Sequence, residues 1–172
     1  MPIINVNKDS GVVKASNTRD LIIGFEGVLK NTEGVYIGDN KMCPLKHSFS
    51  EGIYVREIFI PKGTFIAGKI HKHEHPNFLM SGIVKVITEG KGEELLTGPL
   101  SIISEPGTKR ALYSITDLVW ITVHANPTNT QDLAELEKTV IADSFSDYKK
   151  YLRAKKSIGH KIKNLLIKTL SK

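Results

Sequence analysis

The stretch "GKIHKHEHPNFLMSG" (residues 68–82) holds three of the chain's six histidines, His71, His73 and His75, at alternate positions. Alternate side chains of an extended strand share one face, so this spacing predicts three imidazoles on the same side. Alternate Cα atoms lie about 6.5–7 Å apart, which lets two such rings bind one metal ion at about 2.0–2.2 Å. A polar surface strand with hydrogen-bonded imidazoles explains the spacing equally well. Pro76 is expected to bend the strand and turn His75 inward.

Short runs rich in β-branched and aromatic residues surround this stretch, each bounded by glycine or proline. This pattern is typical of an antiparallel sandwich or barrel. Their number and close spacing predict a mainly β protein, a small antiparallel jelly-roll barrel followed by C-terminal α-helices. The predicted strands cover residues 53–60, 64–73, 77–80, 82–88, 94–96, 100–104, 110–115 and 118–124.

The flanking segments have a different pattern. Residues 18–31 favour a short helix, although two glycines weaken it, and residues 31–41 are rich in turn formers with room for one strand. Residues 130–140 have the composition of an acidic helix. Ser144 and Asp147 form a capping box, which predicts the start of a second helix.

The chain is therefore expected to contain three segments: an N-terminal attachment segment (1–45), the jelly-roll barrel (46–127) and a helical C-terminal segment (128–172). Residues 149–172 hold eight lysines, one arginine and no acidic residue, a charge of +9. The chain's net charge of +6 leaves −3 for the first 148 residues. This asymmetry predicts an anionic partner for the tail alone.

Composition narrows the functional classes. A length of 172 residues with 40% hydrophobic and 24% charged residues is typical of one globular domain. A single cysteine, Cys43, excludes an intramolecular disulfide and fits a reducing compartment. The N-terminus lacks the pattern of a signal peptide, and no apolar run approaches the roughly 20 residues of a membrane span. The sequence predicts a soluble protein made in the cytoplasm.

Two motifs resemble those of the cupin superfamily, the RmlC-like jelly rolls. "PKG", "HKHEH" and "MSG" (61–82) resemble the first cupin motif, and "EPGTKR" (105–110) lies where the second should fall. The motif glutamate falls on His75 or Asn77, depending on the end from which it is counted. Arg110 occupies the position of the second-motif histidine. Over residues 43–127 the resemblance is narrower, to cupin-like proteins encoded by tailed bacteriophages, and it implies a jelly roll in a phage setting.

The resemblance implies a metal site whose missing ligands come from elsewhere in the chain. His124, which ends the last strand, joins His71, His73 and His75 as a candidate ligand. Such a nitrogen-rich set suits one divalent transition metal, Zn, Fe, Ni or Cu; a protein without metal is the alternative. Arg110, His47 and Asn77 are candidate ligand-binding residues, and Arg110 suits a carboxylate or phosphate. No catalytic residue is predicted.

Three functions remain open from the sequence. The first is a structural or accessory component of a phage virion, a homo-oligomer made in the host cytoplasm that contacts other virion proteins. The second is a metal-dependent isomerase or oxygenase that acts on a small anionic or sugar-like substrate. The third is a non-catalytic module that binds carbohydrate or another small ligand.

The basic tail has its own open alternatives: a solvated helix that packs on its own barrel or a neighbouring subunit, a sequence-independent contact with nucleic acid, and an anionic surface. Its candidate anion-binding residues are Lys149, Lys150, Arg153, Lys155, Lys156, Lys161 and Lys163.

Overall fold

A computed structural model describes residues 18–32 and 41–170. Three helices and eleven strands are formed in this part of the chain. In chain order they are α1 (Thr18–Lys30), β1 (Leu45–Ser50), β2 (Gly52–Ile60), β3 (Phe65–Ala67), β4 (Ile70–His71), β5 (His75–Ser81), β6 (Ile83–Thr88), β7 (Gly92–Thr97), β8 (Leu100–Ser104), β9 (Arg110–Ser114), β10 (Leu118–Asn126), α2 (Leu133–Val140), β11 (Ile141–Ala142) and α3 (Phe145–Leu170).

The strands form two main antiparallel sheets. One has the order β1-β2-β10-β5-β8 and the other β3-β9-β6-β7. β1 and β2 are neighbours within one sheet, as β6 and β7 are in the other, whereas at the remaining connections the chain crosses between the sheets as in a jelly roll. The predicted fold class is therefore confirmed. In the described part of the chain, the two sheets stay separate and share no strand. They pack face to face around a core cluster that includes Leu79, Val84 and Trp120.

Helix α1 packs against the β3-β9-β6 side of the jelly roll, as the burial of Ile22 (1% exposed) shows. A salt bridge of 3.0 Å joins Glu26 to Lys109, whose side chain is almost fully buried. Arg19 pairs with Glu89 and stacks on the Phe145 ring of α3. The predicted helix over 18–31 is therefore confirmed, whereas the rest of the turn-rich segment, residues 33–40, lies outside the described residues.

The predicted strand over 64–73 is wrong. It is divided at Gly68, whose amide donates to the Arg110 carbonyl at 2.8 Å. A Cβ at Gly68 would lie only 3.2 Å from that carbonyl oxygen, so the close approach favours glycine. After the break β4 leaves the main sheets and pairs with β11, with His71 opposite Ile141. Because of this break, His71 lies on a short two-stranded sheet, apart from the two main sheets.

Two strands were missed by the sequence analysis. β1 covers Leu45–Ser50 and alternates half-buried and exposed side chains along its length; its Leu45, His47 and Phe49 are the sequence signal that could have found it. β11 has two residues, too few for any periodicity to show.

The C-terminal helices follow the sequence signals closely. Asp132 caps α2 by accepting hydrogen bonds from the backbone amides of Ala134 and Glu135. The Asp147 amide donates to Ser144 Oγ at 3.1 Å, and that hydroxyl donates to Asp147 Oδ2 at 2.6 Å, so the predicted capping box is confirmed. In the part of the chain that the structure describes, no helix is both long and apolar enough to span a membrane.

Candidate metal centre and its cavity

Three histidines from three different strands meet at one end of the jelly roll. His71 ends β4, His75 begins β5 and His124 lies near the end of β10. The ring centroids of His71 and His75 are 4.2 Å apart. His124 lies 5.0 Å from His71 and 4.7 Å from His75. One ring nitrogen from each residue lies within 4.8 Å of the others. We call these three residues the histidine triad.

His73 lies outside the triad, which corrects the expectation that His71 and His73 share a face. The chain bends at residues 72–73 between β4 and β5, before Pro76, which lies inside β5. The exposed His73 ring packs edge-on against Tyr151 of α3, with centroids 5.6 Å apart. Because the strand is interrupted, His71 and His75 become neighbours across the bend, and the roughly 13 Å that separates their positions in a straight strand no longer applies.

Backbone hydrogen bonds from two other segments fix the bend. The Lys72 amide donates to the Val140 carbonyl and the Gly107 amide donates to the His71 carbonyl, both at 2.8 Å. Gly107 has a φ of +79°, and a Cβ there would lie 2.3 Å from the Tyr148 ring. Tyr148 of α3 therefore packs directly on the turn that holds His71. The first turns of α3 are part of the support of the triad.

Burial keeps the triad rings neutral. Burial, together with the His75 and His124 rings and the Arg56 and Arg110 guanidinium groups, lowers the pKa of His71 to about 2. Burial, together with His75, Arg56 and His73, lowers the pKa of His124 to about 3. Burial also lowers the pKa of His75. A neutral imidazole has a lone pair for a metal. His75 Nδ1 donates to the His73 carbonyl at 3.1 Å, which leaves its Nε2 as the acceptor.

The donor set fits a transition metal. His71 Nδ1 is buried and has no hydrogen-bond partner among the described residues, which is unusual for a buried polar atom and is explained by a ligand. Three imidazoles suit Zn, Fe, Ni or Cu. In the described part of the chain no carboxylate belongs to the group, so the open positions around a bound ion would be filled by water or a ligand.

A cavity of about 580 Å³ adjoins the triad. His71 and His75 line it, whereas His124 stacks on both of them behind its wall. The side chains that β2, β9 and β10 direct into the cavity make one end of it polar and the other end apolar. Near the triad are Arg56 and Arg110, and two to four residues further along the same strands the wall becomes apolar. The apolar lining residues are Ile58, Ile60, Ile66, Leu112 and Trp120.

A chain of hydrogen bonds holds the predicted ligand-binding residues Asn77 and Arg110 in the cavity wall. Trp120 Nε1 donates to Asn77 Oδ1 at 3.1 Å. Asn77 Nδ2 and Arg110 Nη1 both donate to Ser104 Oγ at 2.6 Å. Arg110 Nε also donates to Thr88 Oγ1 at 3.3 Å. The structure therefore places both residues at the cavity, next to the triad.

His47 is separated from the cavity by Tyr54. Its Nδ1 is 2.7 Å from Tyr54 Oη, and the Tyr54 ring stacks in turn on His124 at 6.0 Å between centroids. His47 is thus connected to the triad through Tyr54.

Sequence reasoning missed Arg56 and Ser104. In "YVREIFI" the inward positions of β2 are Tyr54, Ile58 and Ile60, and Arg56 has the same parity. A charged residue in the inward register of a core strand is the signal that could have found it. Ser104 gives no such signal, because a serine at the end of a strand is common.

The seven candidate anion-binding residues of α3 do not line the cavity beside the triad. Lys149, Lys150, Arg153, Lys155, Lys156, Lys161 and Lys163 are all exposed on α3. Of the predicted apolar stripe, Tyr151 packs against the bend, whereas Ile158 and Ile162 are 59% and 55% exposed. This part of the stripe therefore does not pack on the jelly roll.

No family model matches the sequence, and no curated protein matches it either. Solved structures with a similar fold include ectoine synthase from P. lautus, with 13% identity and a TM-score of 0.48 over 62% of this chain and 81% of that chain. KdgF from Halomonas sp. has 12% identity and a TM-score of 0.45 over 56% and 88%. The cupin domain of Cnp3 from Schizosaccharomyces pombe has 12% and 0.44 over 54% and 70%. Because these values are low, we interpret the site from this chain's own side chains.

Proposed function

We propose that this protein is a metal-dependent enzyme that binds one divalent transition metal through His71, His75 and His124. The observation that carries the proposal is the convergence of three neutral imidazoles, two buried and that of His71 partly buried, at the end of a cavity. Three protein ligands with open positions are the pattern of catalytic rather than structural metal sites. When bound, the metal would act as a Lewis acid toward a ligand in the cavity.

The chain's own residues would bind, orient and shield that ligand. Asn77 and Arg110 are both hydrogen-bonded to Ser104. The Asn77 amide also donates to the His75 carbonyl at 3.3 Å, so the donors that remain pre-organised for a ligand are those of the Arg110 guanidinium. Trp120 and Leu112 would contact an apolar part of the ligand and exclude water from it. The cavity volume lies within the roughly 300–1,000 Å³ range of small-molecule sites.

Metal analysis of purified variants tests the proposal. We expect about one transition-metal ion per chain in the wild type, because three pre-aligned imidazoles bind tightly. The ion should be lost from His71→Ala and His124→Ala. His73→Ala is the matched control, since His73 is in the same sequence motif but outside the triad, and it should keep the metal. Equal metal content in all four proteins, or a folded wild type that takes up no added Zn, Fe, Ni or Cu, would contradict the proposal.

The other functions predicted from the sequence stay predictions. A virion component of a phage would use the exposed basic face of α3, with seven candidate cations, as its attachment surface. A carbohydrate-binding module would use the same cavity without catalysis. The three-segment division of the chain, its homo-oligomeric state and its location in host cytoplasm or virion are likewise predictions. The buried triad favours the metal-dependent function over both alternatives.

A further inference from the structure

We infer that the polar end of the cavity is an oxyanion site, in which Arg56 and Arg110 bind a carboxylate or phosphate group of a small ligand beside the histidine triad. The inference extends the proposed function, because it names the class of ligand that would lie next to the metal. It depends on the two guanidinium groups and on the charge balance of the cavity, which are independent of any metal.

Arg110 is fixed with part of its guanidinium unused. Nη1 donates to Ser104 Oγ and Nε donates to Thr88 Oγ1. Both acceptors are neutral hydroxyls of buried residues, Ser104 at 1% and Thr88 at 2% exposure. In the described part of the chain no carboxylate forms an ion pair with Arg110. The hydroxyls orient the guanidinium, and Glu94 acts on its charge electrostatically without forming an ion pair.

Arg56 approaches the same end of the cavity from the opposite sheet. It lies on β2 opposite Thr122 of β10, while Arg110 begins β9 of the second sheet. Its guanidinium has no carboxylate partner among the described residues. Both residues line the cavity that His71 and His75 also line. The two guanidinium groups thus face one space from two walls.

The other charged residues of the lining are already paired. Glu26 accepts from Lys109 at 3.0 Å and from Lys30 at 3.3 Å. Lys69 pairs with Glu137. Two guanidinium groups without an ion-pair partner among the described residues, beside three neutral rings, make this end positive, and a partly buried charge without a direct partner is costly. A bound oxyanion would remove that cost with paired, charge-assisted hydrogen bonds, for which the planar guanidinium is well suited.

Calorimetric titration tests the inference with two probes, succinate for carboxylates and inorganic phosphate for phosphates. Each is titrated at fixed ionic strength into zinc-loaded and into chelator-treated protein. The variants are Arg56→Gln and Arg110→Gln, which remove one charge each. Arg153→Gln is the matched control, because it removes the same charge from the exposed face of α3.

We expect the wild type and Arg153→Gln to bind at least one probe with equal affinity. Arg56→Gln and Arg110→Gln should each weaken binding by about tenfold or more, the effect of losing a charge-assisted hydrogen bond, while metal uptake is kept. The probe that binds identifies the ligand as a carboxylate or a phosphate. If Arg110→Gln fails to fold, because it loses its bonds to Ser104 and Thr88, Arg56→Gln decides.

Failure of the two proposals can be told apart. Arginine-dependent anion binding in a protein that takes up no metal would support the oxyanion site and refute the metal-dependent function. Metal uptake without binding of either probe would overturn the oxyanion site. Binding that is unchanged by both cavity substitutions, or lost equally in Arg153→Gln, would also overturn it.

Discussion

The polar end of the cavity and the outer part of α3 both collect positive charge, in opposite physical settings. In the cavity two arginines lie among buried residues and face neutral rings, with no carboxylate partner among the described residues. Along residues 152–163 of α3 the cations are exposed to water. Exposed charges are hydrated and screened by salt, whereas buried ones need a compensating group. The exposed cations of α3 are the more conspicuous in the sequence, but they indicate less about a bound ligand than the two cavity arginines do.

The largest expected difference between the two regions is in their response to acid. His71 and His124 have pKa values of about 2 and about 3 in the folded chain, below about 6.5 in the unfolded chain. The unfolded state therefore binds more protons as the pH falls below about 6.5, and folding is destabilised down to the folded pKa values. We expect the metal-free protein to lose at most about 1.4 kcal/mol of unfolding free energy per pH unit for each histidine.

Urea unfolding of chelator-treated protein between pH 7 and pH 4 measures this loss. His71→Gln should reduce the change of unfolding free energy with pH by about the contribution of one histidine, because it removes one group that gains a proton on unfolding. His160→Gln, on the exposed face of α3, is the control from outside the triad. A pH profile that His71→Gln leaves unchanged would contradict the burial of the triad as the cause.

The second prediction compares a buried serine with an exposed one. Ser104 is 1% exposed and accepts from both Asn77 and Arg110, so Ser104→Ala leaves two buried donors without their acceptor. We expect it to lower the unfolding free energy by about 2 kcal/mol. Ser157→Ala, on the exposed face of α3, should change it by less than about 0.5 kcal/mol. Equal effects in denaturant titrations would mean that the network around Arg110 is not rigid.

The smallest expected effect on stability is that of removing charge from α3. Arg153, Lys156, Lys161 and Lys163 are exposed, so changing all four to glutamine should alter the unfolding free energy by less than about 0.5 kcal/mol. Metal content should also be unchanged. Nonspecific DNA binding, if the tail supports it, should weaken and lose part of its salt dependence, because fewer phosphates are neutralised. Fluorescence anisotropy with labelled duplex DNA measures this, and a large loss of stability would show that the outer helix packs more tightly than its exposure indicates.

Much of the fold could be predicted because its signals are local. Breakers such as "PKG" (61–63) and the capping box at Ser144 act over a few residues, so several strand and helix limits follow from the sequence alone. The bend between β4 and β5 could not be predicted. It depends on Gly68 meeting the Arg110 backbone and on the pairing of β4 with β11, contacts between segments far apart in the chain.

The candidate site, like the fold, could be predicted from the sequence only in part. Local spacing selected the stretch that holds His71 and His75, two of the triad residues. It placed His71 and His73 on one face, because it assumed a continuous strand. Arg110 was found through its place in a motif. Arg56 was missed, although its inward register in β2 was visible in the sequence.

The sequence by itself determined that an antiparallel jelly roll would form and supplied the histidines that are candidate metal ligands, because strand alternation and turn chemistry are properties of neighbouring residues. Only the tertiary structure decided that His71, His75 and His124 meet, that His73 turns away toward α3, and that two arginines face the same cavity. Those outcomes depend on how strands from distant parts of the chain pair and pack, and residue spacing carries no information about that.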